Sequence, residues 1–374
     1  MSVLSKLFAN QFHLPILEAN CYETIHVWNP SCSGALIDVI PQGLKFCLKT
    51  YGLFYLISGL IKKGDPRKLD YVRLIKDIIR SSIFLTMNML ILLYSMCWFR
   101  NRLGFFTLPT ISFVATIMAS FLAILIENPK RRPMLALYLT NLASETLYRQ
   151  LVNHGYLRFI KNGESIVFAA GLAMSTYFYQ RYGEKAGEMC RLMKFTHHLD
   201  NNAEVFDLRK MPRNARIWLN ILRKNFVKHS VCEHRHSCLS VALESGLRNF
   251  GYGFGASLAL SLIKSIRTPT KGVECSLNRI LGRKTNATPI VAGAASGAAM
   301  IFYPSTSIAM YALWKGFEMI YFKAADNGFA PKFKHGDILL YALSTGFVLG
   351  NVIIEPQAIR KGYLNFLRGL TDNK

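Results

Sequence analysis

The sequence predicts an all-α, polytopic integral membrane protein, a helical bundle built from two tandem repeats. Of its 374 residues, 51% are hydrophobic and only 18% are charged, against about 25% charged in an average soluble domain. Residues 81–99 and 105–126 contain no charged side chain. Roughly 20 apolar residues in a helix are enough to span a bilayer. These observations favour a membrane protein over a soluble protein of two or three domains.

The charge balance is strongly basic, with 45 Lys and Arg against 22 Asp and Glu and a net charge of +23. In a soluble protein such an excess would indicate nucleic-acid binding. Here the basic residues lie mainly between the apolar runs, where cations set membrane orientation and bind anionic headgroups. We therefore expect membrane lipids as partners, through their anionic headgroups, and no nucleic acid.

Four regions follow from the pattern of apolar runs. Residues 1–43 form an N-terminal segment with cysteines, and 44–180 form the first helical membrane repeat. Residues 181–249 are polar and basic with a second cluster of cysteine and histidine, and 250–374 form the second repeat. The candidate spans within the repeats are 44–61, 78–99, 105–126, 164–180, 250–263, 288–303 and 337–354. Two further helices are ambiguous. The helix 134–151 is amphipathic, which leaves an interfacial and a re-entrant position open. The helix 306–322 is an apolar run interrupted by Lys315 and Glu318.

An internal repeat relates the two halves of the chain. The segment 135–164 aligns without gaps with the segment 308–337, and seven of the aligned positions are identical. Glu145 corresponds to Glu318 in this alignment. Gly155 corresponds to Gly328. Duplicated halves are common in transport proteins.

The repeat-related acids Glu145 and Glu318 are the charges of greatest functional interest. Acids inside a membrane are costly and mark functional sites, which favours a role in transport. The alternative places both on the polar faces of interfacial helices. There Arg149 and Lys315 lie at the right spacing for local ion pairs. The sequence leaves both interpretations open.

Two clusters of cysteine and histidine are candidate sites. Their residues are Cys21, His26 and Cys32 in NCYETIHVWNPSC, and Cys232, His234, His236 and Cys238 in KHSVCEHRHSC. Structural zinc sites usually contain a tight C-x2–4-C pair, and neither cluster has one. A metal site, disulfides and unmodified thiols all stay open, and no cofactor is expected.

Glycines four residues apart in two apolar stretches predict close helix packing. They are Gly251 and Gly255 in GYGFG, and Gly293 and Gly297 in GAASG. We favour helix packing over a pore lining for these residues. The chain has no GxSxG, P-loop or GxGxxG fingerprint, so we expect no catalytic residue and no enzymatic activity.

Three long strings resemble the transmembrane protein 135 family, also described as a peroxisomal membrane protein family. They are NCYETIHVWNPSC, ENPKRRPMLALYLTNLASETLYR, and FYPSTSIAMYALWKGFEMIYFKAADNG followed by PKFKHGD. The resemblance extends from Cys21 to Leu370 and is weaker over residues 181–230. A weaker similarity, carried by the GxxxG-bearing helices, is to the mitochondrial inner-membrane translocase (Tim) superfamily.

The resemblance implies a multi-pass membrane protein of peroxisomes and mitochondria. It further implies roles in the balance of mitochondrial fission and fusion, in peroxisome organisation and in lipid homeostasis. The mitochondrial fission machinery is then an expected partner. The alternative function is a transporter or translocase-like conduit for a lipid or metabolite.

Overall fold

The computed structural model describes residues 15–63, 69–183, 212–226 and 304–371, together with short stretches between 189 and 300. This part of the chain is mostly helical, in agreement with the predicted all-α class. Its helices are α1 (Cys21–Thr24), α2 (Cys32–Lys63), α3 (Tyr71–Leu103), α4 (Ala115–Ile124), α5 (Arg132–Asn153), α6 (Gly163–Tyr182), α7 (Arg213–Asn225), α8 (Thr306–Asp326), α9 (Gly336–Ile354) and α10 (Lys361–Thr371). Two short strands, β1 (Ile16–Leu17) and β2 (Phe106–Thr107), pair antiparallel.

The chain divides into two compact units. The first unit comprises Met1–Arg158 with Phe333–Lys374, and the second comprises Phe159–Lys332. Each unit therefore draws helices from both predicted repeats. In the first unit α9 packs against α4 and α5, while α3 packs against α2 and α4. In the second unit α6 packs against α8.

The core of the first unit is formed by apolar side chains of α3, α4, α5 and α9. Phe84, Ile124, Leu139, Tyr341 and Val348 are buried together there. A polar ladder crosses the same α5–α9 contact. Its hydrogen bonds join Thr140 to Ser344 (3.0 Å) and Gln150 to Asn351 (2.7 Å), and His154 to Glu355 (2.6 Å). The first two pairs satisfy buried or partly buried polar atoms between the two helices, and the third is an exposed contact just beyond the C-terminal ends of both helices.

Two helices of the described part are long and apolar enough to cross a membrane, judged by length and composition: Tyr71–Leu103 and Gly336–Ile354. They coincide with the predicted spans 78–99 and 337–354. The predicted spans 44–61 and 164–180 are helical but do not meet the same criterion. The predicted spans 250–263 and 288–303 lie outside the described residues, apart from isolated positions. The multi-pass topology stays a prediction.

The segment 105–126, predicted as one span, has a different structure. Its continuous helix is Thr110–Ile124, which begins with a π-helical turn. The preceding residues leave the helical path because Gly104 adopts a left-handed conformation (φ 79°) and ends α3. Phe106–Thr107 then pairs with β1. The helix is shorter than the predicted span because residues near the start of that span pair as a strand.

The predicted packing glycines Gly251, Gly255, Gly293 and Gly297 lie outside the described residues. Within the described helices, other glycines allow close approach. A Cβ on Gly171 of α6 would lie 2.5 Å from the Ala312 backbone of α8. In α9, Gly346 packs against Ile117 and Gly350 packs against Phe113, and these two glycines form a GxxxG that sequence analysis did not single out.

Candidate functional site

A buried cluster of cysteine and histidine lies near the N-terminal end of the first unit. Cys21, His26, Cys32 and Cys97 each offer one ligand atom, and these four atoms lie within 4.8 Å of one another. Three of them were predicted as one cluster from the sequence. Cys97 was not, because it lies far along the chain from Cys32, in an apolar helix, and belongs to no local motif.

Helix α1 and its neighbours bring the N-terminal segment to the end of α3. The Glu23 carboxylate accepts a hydrogen bond from the Asn20 backbone N–H (2.7 Å) and closes the first turn of α1. The Arg100 guanidinium donates to the Ala19 carbonyl oxygen (2.9 Å) and lies over the Phe106 ring. With the β1–β2 pair, these contacts hold Cys21 beside Cys97.

A hydrogen bond to the backbone of Asn29 sets the orientation of the His26 ring. His26 is 1% exposed, and its Nδ1–H donates to the Asn29 carbonyl oxygen (2.8 Å). Since a carbonyl oxygen only accepts, Nδ1 carries a proton, and in the neutral imidazole Nε2 carries the lone pair. Among the described residues, the buried Nε2 atom has no hydrogen-bond partner.

The turn around Asn29 is itself fixed by side-chain hydrogen bonds. The Asn29 side chain accepts from the Ser31 N–H (3.0 Å) and donates to Asp38 (2.8 Å). Beside it, burial raises the pKa of the Cys21 thiol. Cys21 is therefore a protonated thiol at neutral pH when nothing is bound to it.

The second predicted cluster is only partly described. Cys232 and His234 lie outside the described residues. His236 and Cys238 belong to the second unit, and Cys238 is buried. The role of this second cluster stays a prediction.

Glu145 lies in an arginine clamp, while Glu318 forms a simpler ion pair. Glu145 is 4% exposed, and its carboxylate contacts Arg149 (2.7 Å) and Arg360. Glu318, in the second unit, contacts Lys315 (2.7 Å). The structure therefore places each acid beside a cation of its own helix, and Glu145 also beside one from the segment after α9. No sequence motif pointed to Arg360.

A cavity of about 780 Å³ lies inside the first unit. Its size is within the range of about 300–1,000 Å³ that is typical of ligand pockets. Most of its lining is apolar and includes Phe84, Leu92, Met96, Leu139, Leu349 and Phe366. The polar lining groups are Arg360, Asn88, four tyrosines and three threonines. Desolvation raises the pKa of the Tyr363 hydroxyl, so this tyrosine is neutral at physiological pH. Among the described lining residues, Arg360 is the cationic side chain.

A second buried acid, Glu127, joins three segments of the first unit. Glu127 is 1% exposed and accepts hydrogen bonds from Ser81 of α3 (3.0 Å) and from Arg131 (3.3 Å). Arg131 also donates to Ser81 and to Tyr55 of α2. In the sequence this acid appeared only as part of the ENPKRRP helix end, and its role as an anchor was not predicted.

Residues 18–152 match the family model of the N-terminal cysteine-rich region of Transmembrane protein 135. The resemblance to the transmembrane protein 135 family is confirmed. The matched region covers about a third of the chain and contains Cys21, Cys32, Cys47 and Cys97. This match to a region of a transmembrane protein and the two apolar helices α3 and α9 both support a membrane protein. No solved structure matches the chain.

Proposed function

We propose that the protein is a non-enzymatic membrane protein of peroxisomes and mitochondria that acts in lipid homeostasis. Its roles in peroxisome organisation and in the balance of mitochondrial fission and fusion would follow from this action on lipids. The cysteine-rich region and the family-like strings support this assignment at the level of the family. The cavity of the first unit carries the lipid part of the proposal.

The cavity has the chemistry of a site for an acyl chain with an acidic headgroup. Its walls are largely apolar, and burial of apolar surface contributes about 25 cal/mol per Å². The carboxylate of Glu145 and the guanidinium groups of Arg149 and Arg360 together carry a net charge of +1. Arg360 brings this excess charge to the cavity wall, where it attracts an anionic headgroup.

Lipid binding tests this proposal, with oleate as the probe and the purified protein in detergent. We expect Arg360→Gln to weaken binding about tenfold, equivalent to about 1.4 kcal/mol, because the headgroup loses its cation. We expect Leu349→Trp to weaken binding as well, because the larger ring takes up part of the cavity and leaves the ion pairs intact. Displacement of a fluorescent fatty acid measures both effects.

Lys361→Gln is the matched control for this experiment. Lys361 is the next residue along the chain, is exposed and does not line the cavity. The Lys361→Gln substitution removes one positive charge from the same end of α10 but changes no group that lines the cavity. Oleate binding should therefore stay at the wild-type level. Wild-type affinity in Leu349→Trp would exclude the cavity as the lipid site.

We infer that the two halves are tandem repeats, and the α5–α6 and α8–α9 turns support this. Helices α6 and α9 begin at equivalent positions, Gly163 and Gly336. The glycines that end the preceding helices, Gly155 and Gly328, have φ of 78° and 81°. In each turn a backbone N–H donates to the carbonyl oxygen six residues earlier, at 3.1 Å in the first and 3.3 Å in the second.

The conduit for a lipid or metabolite stays the alternative function. A duplicated architecture is compatible with transport. The contacts of Glu145 and Glu318 favour a structural role for these acids, because both carboxylates are engaged by cations at 2.7 Å. We therefore place the lipid cavity, rather than the paired acids, at the centre of the proposed function.

The location in the cell is tested by fractionation of cells that express the protein with a small terminal tag. We expect the tag to be recovered with peroxisomes or mitochondria, as the family resemblance implies. Protease protection of intact organelles then reports on which side of the membrane each terminus lies. Residence in the endoplasmic reticulum or plasma membrane would contradict the proposed organelles.

A further inference from the structure

We propose that Cys21, His26, Cys32 and Cys97 form a structural zinc site that binds the N-terminal segment to the end of α3. The four ligand atoms already lie within 4.8 Å of one another. In a tetrahedral site with Zn–S bonds of about 2.3 Å, neighbouring sulfur atoms are about 3.8 Å apart. A contraction of about 1 Å or less therefore brings the cluster to zinc geometry.

His26 is prepared for metal binding by its second nitrogen. A ligating histidine typically donates its other N–H to a carbonyl or carboxylate, which fixes the tautomer and the ring orientation. The Nδ1–H of His26 makes this contact with the Asn29 carbonyl oxygen. The remaining nitrogen, Nε2, is buried, and the described part of the chain offers it no hydrogen-bond partner. A buried polar atom of this kind costs free energy unless it is satisfied, and a zinc ion satisfies it.

The donor set selects zinc over the other common metals. Three thiolates and one imidazole form a closed tetrahedral Cys3His set, which is typical of structural zinc. Calcium and magnesium prefer oxygen ligands, and the four candidate ligands supply none. With four protein ligands the ion has no open position for a substrate, so the site stabilises structure and carries out no reaction.

The charge of the occupied site is balanced by Arg100. Three thiolates, neutral imidazole and Zn²⁺ sum to −1. Arg100 lies one turn after Cys97 on α3, and its guanidinium reaches back to the Ala19 carbonyl oxygen, two residues before Cys21. One cation is therefore held beside a site of one negative charge. Binding displaces the thiol protons, because thiolates are the metal ligands.

The site joins parts of the chain that are distant in sequence. Cys21 and His26 belong to the N-terminal segment, Cys32 begins α2, and Cys97 lies near the end of α3. Zinc at this point would close the long loop of chain between Cys21 and Cys97, which contains all of α2. It would thereby hold α2 and the candidate span α3 in their observed arrangement.

Metal analysis of the full chain tests the zinc site. After purification in detergent without chelators, we expect Cys97→Ser to contain one zinc equivalent less than the wild type. Cys47→Ser is the matched control, because Cys47 is equally buried in the same unit and lies outside the four-residue cluster. It should keep the full zinc content. Measuring all metals together identifies iron or copper, and either one at these residues would overturn the assignment to zinc.

X-ray absorption keeps the proposal testable if Cys97→Ser fails to fold. The probe is zinc bound to Cys238→Ser, in which the second cysteine and histidine cluster is weakened and the first is intact. We expect three sulfur ligands at about 2.3 Å and one nitrogen at about 2.0–2.1 Å. A folded wild-type protein without zinc, or a disulfide among Cys21, Cys32 and Cys97, would overturn the site. So would unchanged zinc in a folded Cys97→Ser protein.

Discussion

Gly171→Ala is expected to destabilise the second unit by about 1–3 kcal/mol, the usual cost of overpacking. The added Cβ would lie 2.5 Å from the backbone carbon of Ala312 and from the backbone nitrogen of Leu313. A backbone cannot rotate away as a side chain can, so α6 and α8 must separate. The higher helix propensity of alanine, worth up to about 1 kcal/mol, offsets only part of this cost. The melting temperature in detergent measures the effect.

Gly52→Ala is the matched control for this substitution. Gly52 lies in the middle of α2, and an added Cβ would meet no atom within 4 Å. The same substitution should therefore leave the melting temperature unchanged or raise it slightly, through helix propensity alone. The close-packing interpretation of Gly171 is wrong if both variants melt at or above the wild-type temperature.

Glu127→Gln is expected to destabilise the first unit by about 3 kcal/mol or more. The substitution keeps the shape of the side chain but removes the charge that faces Arg131. Arg131 would then stay in a largely buried environment, where the Tyr55 and Ser81 hydroxyls are neutral partners. Breaking a buried pair from one side costs far more than the pair itself contributes, because the remaining charge is left uncompensated. Thermal melting of the purified protein measures the loss.

Asp326→Asn is the control for Glu127→Gln. Asp326 forms an ion pair with Lys332 at 3.0 Å, and its side chain is 65% exposed. Water and salt screen such a pair, so its loss should change stability by less than about 1 kcal/mol. Equal effects of the two substitutions would show that Glu127 is not a buried anchor.

The family match and the zinc proposal concern the same part of the chain. The matched residues 18–152 contain all four proposed ligands and also Glu127. The description of this part as cysteine-rich agrees with a role for its thiols, and the structure indicates which thiols share a site. Cys47 is separate from them, packed with Met89 and Leu370 in another core cluster.

Local patterns predicted those features that depend on neighbours in the sequence. The candidate spans 78–99 and 337–354 were recognisable because uncharged runs of that length favour long apolar helices. The pairing of Glu145 with Arg149 follows from a spacing of four residues on one helix face. The first three members of the cysteine and histidine cluster were visible for the same reason, since they lie close together in one short string.

Local sequence patterns could not predict the contacts between segments that are distant in the chain. The segment 105–126 looked continuous as a span, yet strand pairing with residues 16–17 removes its beginning from the helix. Arg360 joins Glu145 from 215 residues away, and a spacing of that length has no periodic signal. The buried position of Glu127 was equally hidden, because its partners include side chains from two other helices.

The sequence by itself determined that the described part of the chain is mostly helical and that α3 and α9 are apolar enough to cross a membrane. It also determined that residues 18–152 match the N-terminal cysteine-rich region of Transmembrane protein 135. These properties reside in composition, in helical periodicity and in local strings. Tertiary structure decided that Cys97 completes the cluster around His26 and that Arg360 faces an apolar cavity. The physical reason is that a binding site depends on distances in space, and only the packing of α2, α3, α5 and α9 brings these side chains together.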